Sequence, residues 1–406
     1  MRLTSILSAT CAALVLVASA PAAAAWEPQG GAVFNNPGGT YQERWRILRA
    51  VDEAIRNAAP DSKIMISSFL MDTKSTADAL LAAHDRGVAV QMVLDRHADT
   101  RQSRRVARRV NKDNIDPETG LPPVDDAGDP LQWGPDDSFV VICRYACRGP
   151  GRGINHAKFY VFTETGTAKN VVMVSSSNLN RGGALKGWND LYTMKNKPAI
   201  LRDFQAIHRE MAEDTAPDGD RYREFVRGRF TTRFFPMTED GDPRMADLSK
   251  VRCRGARDGA GRNGRTVINI SMFLWKGTQG ARLARRVVEL DRLGCDVSVI
   301  YGAPDKEVRR ILTRSARRGG IKLWNSRWDN TGDGVMDFRV HHKYMLVSGS
   351  YDGDPSSWRV HTGSLNWAGG LRANDENNLT VVGRGAYTSY LRNWNLVRRG
   401  WTHRVG

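Results

Sequence analysis

Two short patterns in this chain join an imidazole to an ammonium and then to a carboxamide. The first is His156-Ala157-Lys158 leading to Ser176-Ser177-Asn178, and the second is His341-His342-Lys343 leading to Ser364-Leu365-Asn366. One His-x-Lys alone is ordinary surface sequence. Of the eight histidines, however, only His156 and His341 stand two residues before a lysine, and each is followed by its own Ser-x-Asn. These residue types suit phosphoryl transfer. A phosphodiester needs a nucleophile on one face, a proton donor at the opposite leaving oxygen, and positive charge over the other oxygens. One imidazole can attack and become a phosphohistidine while the other, protonated, assists departure of the alcohol. Lys158 and Lys343 supply charge. Asn178, Asn366 and the hydroxyls of Ser176 and Ser364 supply hydrogen bonds to the non-bridging oxygens. With two lysines in place this chemistry requires no catalytic metal and no cofactor.

The elements that must carry these residues recur along the chain, which is the signature of an internal duplication. Lys63 to Leu70 and Val267 to Leu274 both read as buried strands. Helical patterns follow, through Ala77, Leu80 and Leu81 in the first copy and Ala281, Leu283, Ala284 and Val287 in the second. Gly87 and Gly294 stand where a helix end needs a left-handed residue, and second strands begin at Val88 and Asp296. Strand, helix, strand implies a parallel pair joined by a crossover. After a variable Gly- and Asp-rich stretch, each copy enters a strand pair that begins at its His-x-Lys and ends at its Ser-x-Asn. The interval from His156 to Asn178 is slightly shorter than that from His341 to Asn366, a difference one loop absorbs. The Asp- and Gly-rich break near Pro236 to Arg244 divides the copies, giving expected halves of 26–238 and 239–406.

Two His-x-Lys patterns, each with a Ser-x-Asn, resemble the phospholipase D superfamily and its paired HKD motifs, and the resemblance covers most of the chain after residue 25. It implies an α/β fold of two similar α/β/α sandwich halves with mixed sheets, and an active site at their pseudo-two-fold interface. It also implies His156 as nucleophile and His341 as acid, although the symmetry of the sequence permits the reverse. The chain departs from the family's pattern at Thr163 and Ser348, where an aspartate follows the motif lysine, and at Ser175, where a glycine precedes the motif serine.

A nucleophilic imidazole needs an acceptor on its other nitrogen. Asp190 and Glu376 follow the two Asn positions by similar intervals and resemble the acids the family uses there, with Asp375 and Asn377 as rivals to Glu376.

Residues 1–25 have the layout of a secretory signal peptide: Arg2, an apolar stretch from Ile6 to Val17, and Ala23-Ala24-Ala25. The apolar run is shorter than the roughly 20 residues that span a bilayer. An exported chain favours disulfides, and removal of Cys11 leaves Cys143, Cys147, Cys253 and Cys295, expected to pair 143 with 147 and 253 with 295 inside each half.

A hydrophobic content of 41% supports a buried core, and a net charge of +16 attracts anionic partners. The Arg-rich run Arg101 to Lys112 reads as a solvated helix face. The leading expectation is a secreted phospholipase D that meets a membrane surface, with Trp188, Trp328, Trp358 and Trp367 near its mouth. A secreted metal-independent nuclease of the same superfamily is the alternative. A binding protein that merely keeps the fold is disfavoured, because binding needs no pair of imidazoles. A site built from two copies within one chain removes the need for a dimer, so a monomer is expected.

Overall fold

A computed structural model describes residues 26–112, 136–214, 221–237 and 240–406. The expected signal peptide, 1–25, lies outside these residues. In chain order the first part comprises β1 (Gly31–Phe34), α1 (Tyr41–Arg44), α2 (Arg46–Arg56), β2 (Lys63–Ser68), α3 (Lys74–Asp85), β3 (Ala89–Asp95), α4 (Arg101–Val110), β4 (Phe139–Cys143), β5 (Phe159–Thr165), β6 (Ala168–Ser175), α5 (Arg181–Leu185), β7 (Gly187–Trp188), β8 (Asp190–Met194) and α6 (Pro198–Ala212). The second comprises β9 (Arg223–Arg227), β10 (Phe230–Phe234), α7 (Pro243–Ser249), β11 (Val251–Arg252), β12 (Val267–Trp275), α8 (Gly277–Arg292), β13 (Asp296–Pro304), α9 (Lys306–Arg317), β14 (Lys322–Asn325), β15 (Arg339–Val340), β16 (Lys343–Tyr351), β17 (Asp354–Gly363), β18 (Asn377–Val382), α10 (Arg384–Gly400) and β19 (His403–Val405).

The duplication is visible in the strand order. The first sheet runs β1-β8-β6-β5-β2-β3-β4, and the second contains the matching run β10-β18-β17-β16-β12-β13-β14, extended by β9 beyond β10 and β19 beyond β14. In both, the strand–helix–strand unit gives a parallel pair, β2 with β3 and β12 with β13, while the motif strands β5 and β16 join antiparallel. Gly87 and Gly294 end α3 and α8 with φ of 86° and 100°, the left-handed conformation expected of them. The expected division at 238/239 does not fall where the sheets change. Arg223–Phe234 already belongs to the second sheet, with β10 in the place that β1 fills in the first. The Asp- and Gly-rich break is the loop from β10 to α7 rather than a linker between halves.

One buried cluster spans both sheets. It joins Phe159, Val172 and Val174 of the first to Ile300, Tyr344 and Leu346 of the second, and takes in α6 and α10 side chains such as Phe204 and Trp394. Separate clusters lie under α2, α3 and α4 on one outer face and under α8 and α9 on the other. The layers are therefore helices, sheet, two shared helices, sheet, helices. Each fully buried aliphatic or aromatic side chain contributes about 1.5–3 kcal/mol, so a common core holds the two motif strands at a fixed spacing. Both expected disulfides are present, Cys143 with Cys147 and Cys253 with Cys295. The basic run forms α4, where Arg104, Arg105 and Arg109 pair with Asp99, Asp78 and Asp85, a solvated face as read. Among the described residues no helix is long and apolar enough to cross a membrane.

Candidate active site

Each motif histidine is delivered to the interface by a strand segment that pairs with the opposite half. Arg339–Val340 runs parallel to Gly187–Trp188, and Asn155 bridges Asp375 in the same sense. The backbone N–H of His341 donates to Trp188 O at 2.8 Å, and that of His156 to Asp375 O at 2.9 Å. The residue following each acceptor holds the imidazole. His156 Nδ1 lies 2.9 Å from both carboxylate oxygens of Glu376, and His341 Nδ1 lies 2.8 Å from Asn189 Oδ1. Each histidine is thus oriented by the half that does not contain it.

The structure places Glu376 beside His156, and a residue other than Asp190 beside His341. Ser176 N donates to Asp190 O and Ser364 N to Asn377 O, which makes Asn189 the counterpart of Glu376 and Asp190 that of Asn377. Asp190 Oδ2 accepts from Tyr390 OH at 2.8 Å and from Thr362 Oγ1, tying β8 to the second half. The rivals to Glu376 are also engaged elsewhere. Asp375 accepts from the N–H groups of Cys147 and Arg148, and Asn377 Oδ1 accepts from Lys158 N.

The serines are corrected too. Ser176 Oγ donates to Asn189 Oδ1 at 3.2 Å, and Ser364 Oγ to Glu376 Oε2. Both are fully buried, and each accepts a backbone N–H besides. A hydroxyl has one proton, and here it steadies the residue that orients a histidine rather than reaching a phosphate. The two asparagines differ in their engagement. Asn366 Oδ1 accepts from Leu274 N at 3.2 Å, while Asn178 is buried with its Oδ1 unpartnered.

Protonation follows from these contacts. Asn189 Nδ2 donates to the carbonyls of Gly183 and Gly187, which fixes its Oδ1 toward His341 and makes His341 Nδ1 the donor. Glu376 likewise receives Nδ1–H of His156, so neither Nε2 carries the orienting bond; that of His341 accepts from Lys343 Nζ at 3.1 Å. Burial first, and then the positive lysines of both halves, hold His156 and His341 well below the ordinary histidine value. Each histidine is held by the half that carries the other, which brings both imidazoles and their lysines to the same interface.

Lys158 Nζ donates to His156 O at 2.5 Å and Lys343 Nζ to His341 O at 2.6 Å. Burial brings Lys158 down to about 7, and burial together with repulsion from Lys158 holds Lys343 well below its usual range. Burial also raises Glu376 to about 7. A phosphodiester entering as a monoanion restores charge to these lysines.

In the free protein, kcat/KM for a soluble chromogenic diester is therefore expected to be bell-shaped between about pH 5 and 9. It falls on the acid side as Glu376 gains a proton and loosens its hold on His156, and on the alkaline side as Lys158 loses one. Glu376→Gln should remove the acid limb; a wild-type profile flat through neutrality would contradict this assignment.

Two residues not singled out from the sequence line the imidazoles. The Phe69 ring lies 5.4 Å from that of His156, with Lys158 Nζ 5.5 Å above it. The Phe273 ring lies 4.6 Å from that of His341, with Lys343 Nζ 5.2 Å above it. They occupy matching places at the ends of the duplicated strands, and that match was the available signal. The four tryptophans Trp188, Trp328, Trp358 and Trp367 are wall and core residues. Trp188 and Trp367 are buried, Trp328 stacks on His403, and Trp358 packs on Tyr387.

A family model described as the PLD-like domain of cardiolipin synthase matches residues 51–212. Among solved structures, the chain is similar to phosphatidylserine synthase of Haemophilus influenzae Rd KW20. The TM-score is 0.50 with 14% identity, covering 89% of this chain and 86% of that one. It is also similar to polyphosphate kinase of Porphyromonas gingivalis, with a TM-score of 0.55 and 16% identity. That match covers 92% of this chain and 48% of the other, so the chain spans about half the length of that kinase. At these identities the likeness is one of fold. No curated protein matches the sequence.

Proposed function

Because this chain belongs to the phospholipase D superfamily, we propose that it is an exported phospholipase D that hydrolyses a phospholipid to phosphatidic acid and a free headgroup. The observation that carries the reading is the pair of histidines meeting at one site, each oriented by the opposite half and accompanied by its own lysine. The family model's description as a cardiolipin synthase domain supports a phospholipid substrate. The layout of residues 1–25 supports export.

In this reading His341 takes up a proton at Nε2 as the diester monoanion binds; His156 Nε2 then attacks phosphorus and the bond to the headgroup oxygen breaks, that oxygen taking the proton from His341 Nε2. The difference between the two orienting residues favours this assignment. A carboxylate on Nδ1 raises the basicity of His156, whereas the neutral amide of Asn189 stabilises an imidazolium less and so leaves His341 the better acid. Water then attacks the phosphohistidine with His341 as base, the P–N bond breaks, and phosphatidic acid leaves. Lys158 and Lys343 balance the charge on the non-bridging oxygens throughout.

One observation favours a nuclease. A groove of about 800 Å³ between α8 and α9 is lined by Arg282, Arg292, Arg314 and Arg318, among other arginines. Such a surface suits a polyanion backbone. The two readings separate when the protein is given mixed phospholipid vesicles and single- and double-stranded DNA in parallel, with chelator present. The expected products are free headgroup and phosphatidic acid, and phosphatidylethanol when ethanol is added. DNA fragments without phosphatidic acid would replace the lipid reading with the nuclease one.

A further inference from the structure

The two halves repeat each other's chemistry, but release of a headgroup is not symmetric: one arm of the diester stays on the protein and the other leaves. The chain differs between its halves at the place where that asymmetry would be read. Ile154 stands two residues before His156, and Arg339 two residues before His341. The two positions are equivalent in backbone terms. Asn155, next to Ile154, bridges Asp375, and Val340, next to Arg339, pairs with Trp188 in the same parallel sense, each contact crossing to the other half. On an extended segment, residues 339 and 341 face the same side.

Arg339 is partly buried, with its guanidinium carbon 4.9 Å from the centroid of the Phe273 ring that also packs on His341. Among the described residues no carboxylate pairs with it. The nearest acid in sequence, Asp337, is turned to the N–H groups of Asn330 and Thr331. The charged group that Arg339 senses is Arg327, and burial with that repulsion lowers it from the usual arginine range. A partly desolvated guanidinium without a counter-ion is unfavourable and is relieved by an incoming anion. A quaternary ammonium finds the opposite situation, because Arg339 and Lys343 already set two cations against Phe273, the ring beside His341.

We propose that Arg339 binds an anionic substituent on the leaving alcohol, a carboxylate or a second phosphate, and so selects headgroups of that kind over quaternary ammonium ones. The inference rests on the assignment of His341 as the acid beside the leaving oxygen.

The test compares soluble methyl aryl phosphodiesters whose leaving phenol carries either a carboxylate or a trimethylammonium group at the same ring position. Such substrates avoid the general attraction of a basic protein to anionic vesicles. Taking each variant relative to wild type cancels the intrinsic reactivity of the two phenols. Arg339→Gln is expected to lower kcat/KM for the carboxylate ester at least about tenfold more than for the trimethylammonium ester, the scale of one charge-assisted hydrogen bond. Arg339→Lys should recover part of the difference. An equal loss on both esters, or a larger loss on the trimethylammonium ester, would overturn the proposal.

Monomeric dihexanoyl phosphatidylserine and phosphatidylcholine form the second arm. Retained aryl selectivity without turnover of either lipid would remove the phospholipid assignment and leave the role of Arg339 standing. Turnover of both lipids with no shift in aryl selectivity would do the reverse.

Discussion

His156→Ala is expected to lower kcat by roughly four to six orders of magnitude, the scale seen when a covalent nucleophile is removed, while the fold survives. The side chain is only 12% exposed, yet its imidazole serves the reaction site and not the core. Its ring meets Phe69 and its Nδ1 meets Glu376, and the strand that carries it is fixed by backbone bonds to Asp375. The groups beside it are already engaged. Lys158 is committed to the carbonyl of residue 156, Asp375 to the amides of Cys147 and Arg148, and Ser364 to Glu376. Water attacking directly would have to displace an alkoxide without the two-step route that a phosphohistidine provides. Circular dichroism and thermal melting should match the wild type, and mass spectrometry after quenching with a slow diester should show no phosphoryl adduct. Near-wild-type turnover by this variant, or an adduct on Asn, Ser or Lys in the wild type, would refute covalent catalysis by His156.

Much of this site was legible because it is written twice. The parallel β2–β3 and β12–β13 pairs, the left-handed Gly87 and Gly294, and the meeting of His156 with His341 all follow from two copies of one pattern. The interval after the motif asparagine is a coarser guide than the backbone pairing. Asp190 is expected from that interval and from the family resemblance, yet the duplicated backbone bonds of Ser176 and Ser364 put Asn189 opposite Glu376. The carboxylate one residue further on points to Tyr390 and Thr362.

The serines show the same limit. Conversion of a repeat into a site tells which residues converge, but a hydroxyl's single proton goes to whichever acceptor tertiary packing presents, and here those are Asn189 and Glu376. Arg339 carried no sequence signal at all, since Ile154 fills its place in the other half and only the packing on Phe273 gives the difference meaning. The 238/239 division differs from the change of sheet for another reason. A loop rich in Asp and Gly marks a turn, and whether that turn lies between sheets or within one depends on the pairing of β10 with β18.

His341→Asn is expected to separate the two steps that His156→Ala abolishes together. An alkyl headgroup leaves as a strongly basic alkoxide unless it is protonated, so loss of the acid should slow release of a lipid headgroup by about two to four orders of magnitude. A p-nitrophenolate leaves without a proton, so attack by His156 on a p-nitrophenyl diester should be affected far less. The second step has no such escape, because the water that cleaves the phosphohistidine must give up a proton, and in this site His341 Nε2 is the group available to take it. Asn189, which holds the other nitrogen, has its amide hydrogens bound to the carbonyls of Gly183 and Gly187 and cannot serve as the base. The intermediate should therefore accumulate. The variant is expected to release a burst of nitrophenolate close to one equivalent per protein and then turn over slowly, with the phosphoryl group recovered on the peptide containing His156. A linear time course with no adduct would mean that His341 acts before the P–N bond forms; an adduct on another residue would mean that the nucleophile and the acid had been assigned the wrong way round or to the wrong groups. The contrast between Glu376 and Asn189 predicts which result to expect, since the carboxylate is set against the imidazole that must attack and the neutral amide against the one that must give up its proton.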